Sequence, residues 1–196
     1  MKDKISKDPI CNYRRNLLKG SMALALASLS RPTFAAFQPQ SVEAQAKETV
    51  VRELAFHNLH TGENLKAEYW SEGGYLPDAL AGIDHILRDF RTNQVLPIDP
   101  QLLDLLHNLR STLGTNQPFQ IISGYRSPAT NANLAANSDG VAKKSLHMQG
   151  KAIDLRVEGT ALKDLRQAAL SLQGGGVGYY PGSNFVHVDI GRLRSW

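Results

Sequence analysis

The chain after residue 50 begins with two different periods of apolar residues. On either side of the polar segment 60–63, apolar and polar residues alternate, as at Leu54, Phe56, Leu65, Ala67 and Tyr69. This alternation predicts a β-hairpin. Beyond Pro77, apolar residues recur at helical spacing, at Leu80, Ile83, Ile86, Leu87 and Phe90. A second helix is predicted from about Asp99 to Leu113, where Gly114 ends it.

The second half of the chain reads as short strands separated by helices. The predicted strands are 119–123, 152–156 and 185–190, and the predicted helices are about 130–136 and 161–172. A loop at 137–140 and a glycine run at 174–176 lie between these elements. We therefore predict an α+β fold, a single domain with a central antiparallel sheet flanked by helices.

The N-terminal segment reads as an export signal rather than as part of the fold. Residues 14–19 read RRNLLK, a twin-arginine pattern, and a weakly apolar run at 21–30 precedes Thr33-Phe34-Ala35. A removable signal with small residues at its cleavage site has this form. The apolar run is about half of the ~20 residues that a membrane-spanning helix needs. We therefore expect no stable membrane anchor after processing.

These features predict three parts of the chain: a removed signal at 1–35, a flexible leader at 36–50 and a folded domain at 51–196. The signal holds seven of the 22 Lys and Arg residues and two of the 18 Asp and Glu residues. The remainder therefore has 15 basic and 16 acidic side chains, a net charge of about −1. A nucleic-acid-binding domain should keep a basic surface after processing, so nucleic acid is not expected as a partner.

Cys11 is the only cysteine, and it lies within the predicted signal. Disulfides and cysteine-based zinc sites are therefore excluded from the mature protein. About 160 remaining residues suit one domain with one core, and we expect a monomer.

Candidate chemistry lies in the second half, where His147, Asp154 and His187 stand on or beside short predicted strands. Gly150 permits a turn after His147, so that a following strand could aim Asp154 back at the same point. His187, on a neighbouring strand, could complete the group. Two imidazoles and one carboxylate leave a fourth tetrahedral position for water, as in catalytic zinc sites.

Other interpretations of these residues stay open. A histidine beside a strand is more often a hydrogen-bonding partner than a metal ligand. Asp154 lies in an apolar strand, where an unpaired carboxylate would be costly. Its alternative role is a salt bridge to Arg126 or Arg156.

Three segments around these residues resemble, in order and spacing, a superfamily of zinc peptidases. Residues 123–127 read SGYRS, residues 145–154 contain His147 and Asp154, and residues 185–189 read FVHVD. The superfamily includes D-Ala-D-Ala carboxypeptidases and dipeptidases, phage L-Ala-D-Glu endolysins and the hedgehog signalling domain.

Within this superfamily, the chain resembles the murein endopeptidases most closely. The shared features are the twin-arginine signal and segments 58–63 (NLHTGE), 141–145 (VAKKS) and 175–180 (GGVGYY). The resemblance extends over about residues 54–196. It implies a hedgehog/D-Ala-D-Ala peptidase-like fold and a periplasmic location.

The resemblance implies a zinc metallopeptidase that hydrolyses cross-links between peptidoglycan stem peptides with a metal-activated water. The expected substrate is the 3-3 link between two meso-diaminopimelate residues. One Zn²⁺ per chain would be held by His147, Asp154 and His187. Arg126 matches an arginine that faces the substrate carbonyl, where it could stabilise a developing oxyanion or bind a carboxylate. Its alternative role is pairing with Asp154 or Asp189.

One position departs from the pattern of the D-Ala-D-Ala dipeptidases. An acidic residue three positions before the last zinc histidine is their general base, but Asn184 stands there in this chain. Asp189 is the expected replacement, because residues two apart on a strand face the same side. Its alternative role is to orient an imidazole. Tyr125 and Ser145 are expected to hold substrate or to orient the ligands.

Two other functions remain open from the sequence. The domain could be a non-catalytic, zinc-dependent peptidoglycan-binding domain, as the hedgehog domain illustrates on the same scaffold. It could also be a carboxypeptidase that trims the ends of stem peptides.

Overall fold

The computed structural model describes residues 50–137 and 141–196. The predicted export signal at 1–35 and almost all of the predicted leader at 36–50 lie outside these ranges, as do residues 138–140 of the predicted loop. The signal, its cleavage and the leader therefore stay predictions.

A mixed sheet of eight strands and four α-helices make up the described part of the chain. The strands are β1 (Arg52–Asn58), β2 (Asn64–Ser71), β3 (Gly74–Tyr75), β4 (Phe119–Ser123), β5 (Ala152–Val157), β6 (Gly176–Tyr180), β7 (Phe185–Asp189) and β8 (Arg194–Ser195). The helices are α1 (Pro77–Ile86), α2 (Pro100–Leu113), α3 (Pro128–Asn137) and α4 (Leu162–Ser171). None of the helices in the described ranges is long and apolar enough to cross a membrane.

The predicted elements are confirmed, and the predicted antiparallel sheet is confirmed in part, because the sheet of the described residues is mixed. The strand order is β3-β2-β1-β4-β5-β7-β6-β8, and the pairs β1–β4 and β6–β8 are parallel. Strand β4 lies parallel to β1 because α1 and α2 lead the chain back before β4 begins. The chain reverses direction between β6 and β7 and again between β7 and β8. Strand β8 therefore runs parallel to β6, with which it pairs.

The core lies between one face of the sheet and the helices. Helix α2 begins at Asp99, whose side chain accepts a hydrogen bond from the amide of Gln101, and ends at Gly114 in the left-handed conformation (φ 61°). Its apolar face is buried through Leu102, Leu103, Leu105, Leu106 and Leu109. On β5 and β7, the alternate residues Ile153, Leu155, Val186 and Val188 belong to this core. Their neighbours Asp154 and His187 therefore point to the opposite face.

Asp89 joins the turn after α1 to the segment that leads into α3. Its carboxylate is buried and accepts hydrogen bonds from the backbone amides of Ser127 (2.9 Å) and Arg91 (3.0 Å). Burial alone would raise the pKa of Asp89, but hydrogen bonds from Ser127, Thr130 and Arg91 outweigh it and lower the pKa from 3.8 to about 2. This carboxylate fixes the backbone immediately after Arg126.

We expect the Asp89→Asn variant to lose about 1–3 kcal/mol of stability at pH 7, because an amide cannot accept all of these hydrogen bonds. The folded pKa of Asp89 is depressed, so its contribution is present above pH 3.8 and is lost as the pH falls to about 2. Urea unfolding at pH 7 and at pH 2.5 measures the free energy of unfolding of wild type and variant. The difference between these two free energies should be smaller at pH 2.5. The exposed Asp78 provides the control, since Asp78→Asn should change little at either pH. An equal difference in free energy of unfolding at both pH values would contradict the prediction.

Candidate metal centre

His147 is held by a 3₁₀ turn, Leu146–Gln149, which is flanked by the small residues Ser145 and Gly150. The Ser145 hydroxyl accepts a hydrogen bond from the His147 amide (3.4 Å), and Gly150 follows in the left-handed conformation (φ 66°). A Cβ on Gly150 would lie 2.4 Å from the carbonyl oxygen of Pro97, so only glycine fits. The His147 Nδ1 lies 2.8 Å from the carbonyl oxygen of Gly124. A carbonyl can only accept, so Nδ1 carries the proton and Nε2 presents a lone pair.

Asp154 and His187 stand opposite each other on the antiparallel strands β5 and β7. Both side chains lie on the face of the sheet that points away from the core. Asp154 Oδ1 is 2.8 Å from His187 Nδ1. The register of two strands thus sets this distance, which gives the pair a rigid support.

Asp189 lies on the far side of the His187 ring. Its Oδ2 atom is 2.9 Å from His187 Nε2, and the residue is completely buried. Arg194 bonds both of its oxygens, Oδ1 at 3.1 Å and Oδ2 at 2.5 Å. The amides of Gly176 and Gly191 also donate to Oδ1, at 3.0 and 2.8 Å. Burial alone would raise the pKa of Asp189, but its bonds to His187, Arg194 and the two amides hold the pKa well below its usual range.

Three potential ligand atoms form a small triangle: His147 Nε2, His187 Nδ1 and Asp154 Oδ1. The two nitrogens are 3.2 Å apart, and Asp154 Oδ1 lies 2.8 Å from His187 Nδ1 and 3.3 Å from His147 Nε2. Zinc bond lengths of 2.0–2.1 Å in a tetrahedron place neighbouring ligand atoms about 3.3 Å apart. The triangle therefore has nearly the size of one face of a zinc coordination tetrahedron. All three residues are buried.

The triangle requires a cation for an electrostatic reason. Gly124 and Asp189 take the outer N–H groups of the two imidazoles, so the inner nitrogens turn their lone pairs toward each other and toward a carboxylate. Burial alone would raise the pKa of Asp154, but His147 and His187 hold it well below its usual range. Burial alone would lower the pKa of His187, but Asp154 and Asp189 raise it. Either a proton or a metal ion at the centre would satisfy the three atoms.

The triangle opens into a cleft of about 480 Å³. The cleft is lined by Arg126, Val141, Ala142, Lys144, Ser145, Leu146, His147, Asp154, Tyr180, Ser183, Phe185, His187, Arg194 and Trp196. A substrate could therefore reach the open side of the cluster.

Arg126 is the cation beside the cluster, and its hydrogen bonds are long. Its Nη2 lies 3.4 Å from Asp154 Oδ2 and 3.3 Å from the Ser123 hydroxyl, and its Nη1 lies 3.5 Å from Asn131 Oδ1. Its Nε is buried without a hydrogen-bond partner among the described residues. Burial lowers the pKa of Arg126, although Asp154 opposes this effect. The guanidinium therefore keeps capacity for a further acceptor.

The other residues that the sequence indicated, Ser145, Tyr125 and Asp189, occupy different positions relative to the cleft. Ser145 lines the cleft, but Tyr125 does not, and its ring belongs to the buried core. The expected role of Tyr125, to hold substrate or to orient the ligands, stays a prediction. Asp189 shares a strand face with His187, but it stands behind the ring and is completely buried. Its expected role as a proton acceptor stays a prediction.

The whole of this arrangement falls within one match to a known family. The family model of the peptidoglycan L,D-endopeptidase MepK matches residues 45–196. The chain belongs to this family. Two curated relatives extend the match over nearly all of the chain.

Two of the MepK relatives are from Escherichia coli and Haemophilus influenzae. The peptidoglycan L,D-endopeptidase MepK of Escherichia coli K12 is 48% identical over 185 residues, which is 94% of this chain and 97% of the relative. The probable peptidoglycan L,D-endopeptidase MepK of Haemophilus influenzae is 43% identical over 186 residues, 94% of this chain and 95% of the relative. The resemblance to murein endopeptidases that the sequence motifs indicated is thus confirmed.

Two cleft residues of this MepK-family chain were not found by sequence reasoning. Arg194 and Trp196 contact Asp189 and the His187 ring, respectively. Arg194 lies in β8 and Trp196 directly follows it, and their spacing of two places both side chains on one face of the sheet. A two-residue strand is too short to show an alternation of apolar and polar residues, so the sequence did not predict β8.

We expect the purified chain to bind one zinc ion, since three buried ligand atoms converge at nearly tetrahedral spacing. Isothermal titration of the chelator-treated chain measures the stoichiometry and affinity. His147→Ala and His187→Ala should each abolish binding at micromolar zinc, because two ligands are too few. The exposed His85 offers a matched control, and His85→Ala should bind zinc as wild type does. Undiminished binding in both ligand variants would place the metal elsewhere.

Proposed function

We propose that this protein is a zinc metallopeptidase that hydrolyses peptide cross-links in bacterial peptidoglycan. The observation that carries the proposal is the buried triangle of two imidazole nitrogens and one carboxylate oxygen at the base of an open cleft. Membership of the MepK family supports the substrate, because the curated relatives are described as peptidoglycan L,D-endopeptidases. His147, Asp154 and His187 are the proposed ligands of one Zn²⁺.

The donor set favours zinc over harder cations. Imidazole suits zinc, whereas magnesium and calcium prefer oxygen ligands throughout. Three protein ligands leave one position open, which is typical of catalytic zinc. When bound at such a site, zinc lowers the pKa of water toward neutrality and polarises a carbonyl group.

Arg126 is proposed to bind the substrate beside the ligand triangle. Its guanidinium faces the cleft, and its hydrogen bonds of 3.3–3.5 Å to Ser123, Asp154 and Asn131 are longer than charge-assisted bonds usually are. A substrate carbonyl oxygen or carboxylate could form a shorter bond. Charge that develops on the oxygen of the scissile carbonyl would then be stabilised by a fixed cation in a largely desolvated site.

Asp189 is proposed to orient His187 rather than to accept a proton from water. Its oxygens already bond His187, Arg194 and two backbone amides, and no part of the residue is exposed. A carboxylate in this position fixes the tautomer of a metal-binding histidine and holds its ring in place. Ser145 contributes by holding the turn of His147 through its amide.

We propose the 3-3 link between two meso-diaminopimelate residues as the substrate. The chain would act in the periplasm as a monomer after twin-arginine export and removal of residues 1–35, with 36–50 as a leader and 51–196 as the catalytic domain. The fold is proposed to be that of the hedgehog/D-Ala-D-Ala peptidase group, given the mixed sheet and four helices.

Purified muropeptide dimers joined by 3-3 or by 4-3 links test the function directly. We expect the 3-3 dimer to yield two monomers, identified by mass, and the 4-3 dimer to remain largely intact. A chelator should stop cleavage, and added zinc should restore it. Loss of a terminal residue without separation of the dimer would instead indicate a carboxypeptidase. Binding without any cleavage, at any metal concentration, would indicate a non-catalytic binding domain.

The Asp189→Asn variant distinguishes the two roles of this carboxylate. If Asp189 orients His187, we expect zinc affinity to fall by about 10–100-fold together with the cleavage rate. If Asp189 accepts the proton, zinc affinity should stay at the wild-type value while the rate falls. Zinc titration and cleavage assays of the same preparations measure both quantities. The exposed Asp164 provides a control, because Asp164→Asn should leave both unchanged.

A further inference from the structure

Strand β8 and the residue that follows it, Trp196, bring two side chains to the metal centre. Its residue Arg194 pairs in parallel register with Gly176 of β6. The next alternate residue, Trp196, continues this pairing, since its amide donates to Val177 and its carbonyl accepts from the amide of Tyr179. Arg194 and Trp196 are therefore placed on the same face, which is the face of the ligand triangle.

Arg194 reaches the centre by crossing Gly176. Its guanidinium forms a two-point contact with the Asp189 carboxylate, at 3.1 Å and 2.5 Å. A Cβ on Gly176 would lie 2.5 Å from Arg194 Nη1 and 2.5 Å from Asp189 Oδ2. No side chain fits at this position while the ion pair is in place, so the glycine permits the contact.

Trp196 reaches the centre in the same way by crossing Gly178. Gly178 pairs directly with His187 on β7. A Cβ on Gly178 would lie 2.7 Å from two atoms of the Trp196 ring. The indole lies with its centre 5.3 Å from that of the His187 ring, and its Nε1 donates to the Tyr180 hydroxyl (2.7 Å). Each glycine of β6 thus lies beneath a side chain, Arg194 of β8 or Trp196 after it, that reaches toward β7.

We propose that Arg194 and Trp196 are positioning residues of the metal site, which hold Asp189 and the His187 ring in the geometry that presents Nδ1 to the metal. Asp189 can only accept from Nε2–H if its carboxylate stays in the plane of the imidazole. Arg194 fixes that carboxylate by two bonds and neutralises its buried charge. Trp196 packs against the ring itself and limits its rotation. This inference rests on the zinc site of the proposed function.

Zinc affinity is the decisive measurement, because it does not depend on catalysis. Competition with a chromogenic chelator gives the Kd of each variant, and the visible spectrum of the cobalt-loaded protein reports the ligand geometry. We expect Arg194→Gln to weaken zinc binding by about 10–100-fold, as loss of such supporting contacts does at other zinc sites. Arg194→Lys keeps the charge without the two-point contact, so its Kd for zinc should lie between those of Arg194→Gln and wild type. Trp196→Ala should weaken binding roughly 10-fold and shift the cobalt spectrum.

Arg192 supplies the matched control, since it is an exposed arginine two residues from Arg194. Arg192→Gln should keep the wild-type Kd and spectrum. If Arg194→Gln does not fold, because the buried charge of Asp189 then lacks its cation, Arg194→Lys and Trp196→Ala decide the question. Gly176→Ala tests the same contact from the other strand and should also weaken zinc binding.

Wild-type Kd and cobalt spectrum in Arg194→Lys, Arg194→Gln and Trp196→Ala would overturn the inference, even if their metal-free forms melt at lower temperature. Strand β8 would then only stabilise the sheet. Such a result, with wild type binding zinc and cutting muropeptides, leaves the proposed function intact. If wild type itself bound no zinc, the proposed function would fail first.

Discussion

The arrangement of the cleft depends on the convergence of three electron-rich atoms on one point. His147 Nε2, His187 Nδ1 and Asp154 Oδ1 lie 2.8–3.3 Å from one another in a buried position. Lone pairs at such distances repel one another unless a cation lies between them. The protein keeps them together because each group is fixed from outside. The Gly124 carbonyl holds one ring, Asp189 holds the other, and the β5–β7 register holds the aspartate.

The rigidity of this support comes from two places where the chain tolerates no side chain. Gly150 lets the 3₁₀ turn of His147 pack against Pro97, and Gly124 lies so close to Leu87 that an added Cβ would be 2.4 Å from the Leu87 carbonyl oxygen. The amide of Tyr125 also bonds that carbonyl. The segment that carries Arg126 is thus attached to the end of α1. The ligand on the turn and the cation beside it are placed by backbone contacts rather than by flexible side chains.

Sequence patterns predicted those parts of the structure whose signal is local. The alternation around Leu54 and Phe56 and the helical spacing in α2 depend on burial of one face, and both were visible in the chain. Strand β6 was not predicted, because Gly176 and Gly178 remove the side chains that would have shown alternation. The role of Asp189 could not be predicted either. The two-residue period of a strand places Asp189 on the same face as His187, but it does not show whether the carboxylate lies beside the metal or behind the imidazole.

The charges of the cleft also agree with an anionic substrate. Arg194 is neutralised by Asp189, so the charges left on the cleft walls in the described ranges are those of Arg126 and Lys144 against Asp154. The net charge of the cleft is therefore positive, and a divalent cation on the triangle would increase it. A cleft with a net positive charge attracts anionic ligands. Stem peptides that contain diaminopimelate carry free carboxylates close to the cross-linking amide. Arg126 and Lys144, together with a cation held by the triangle, would therefore attract the anionic substrate that we propose.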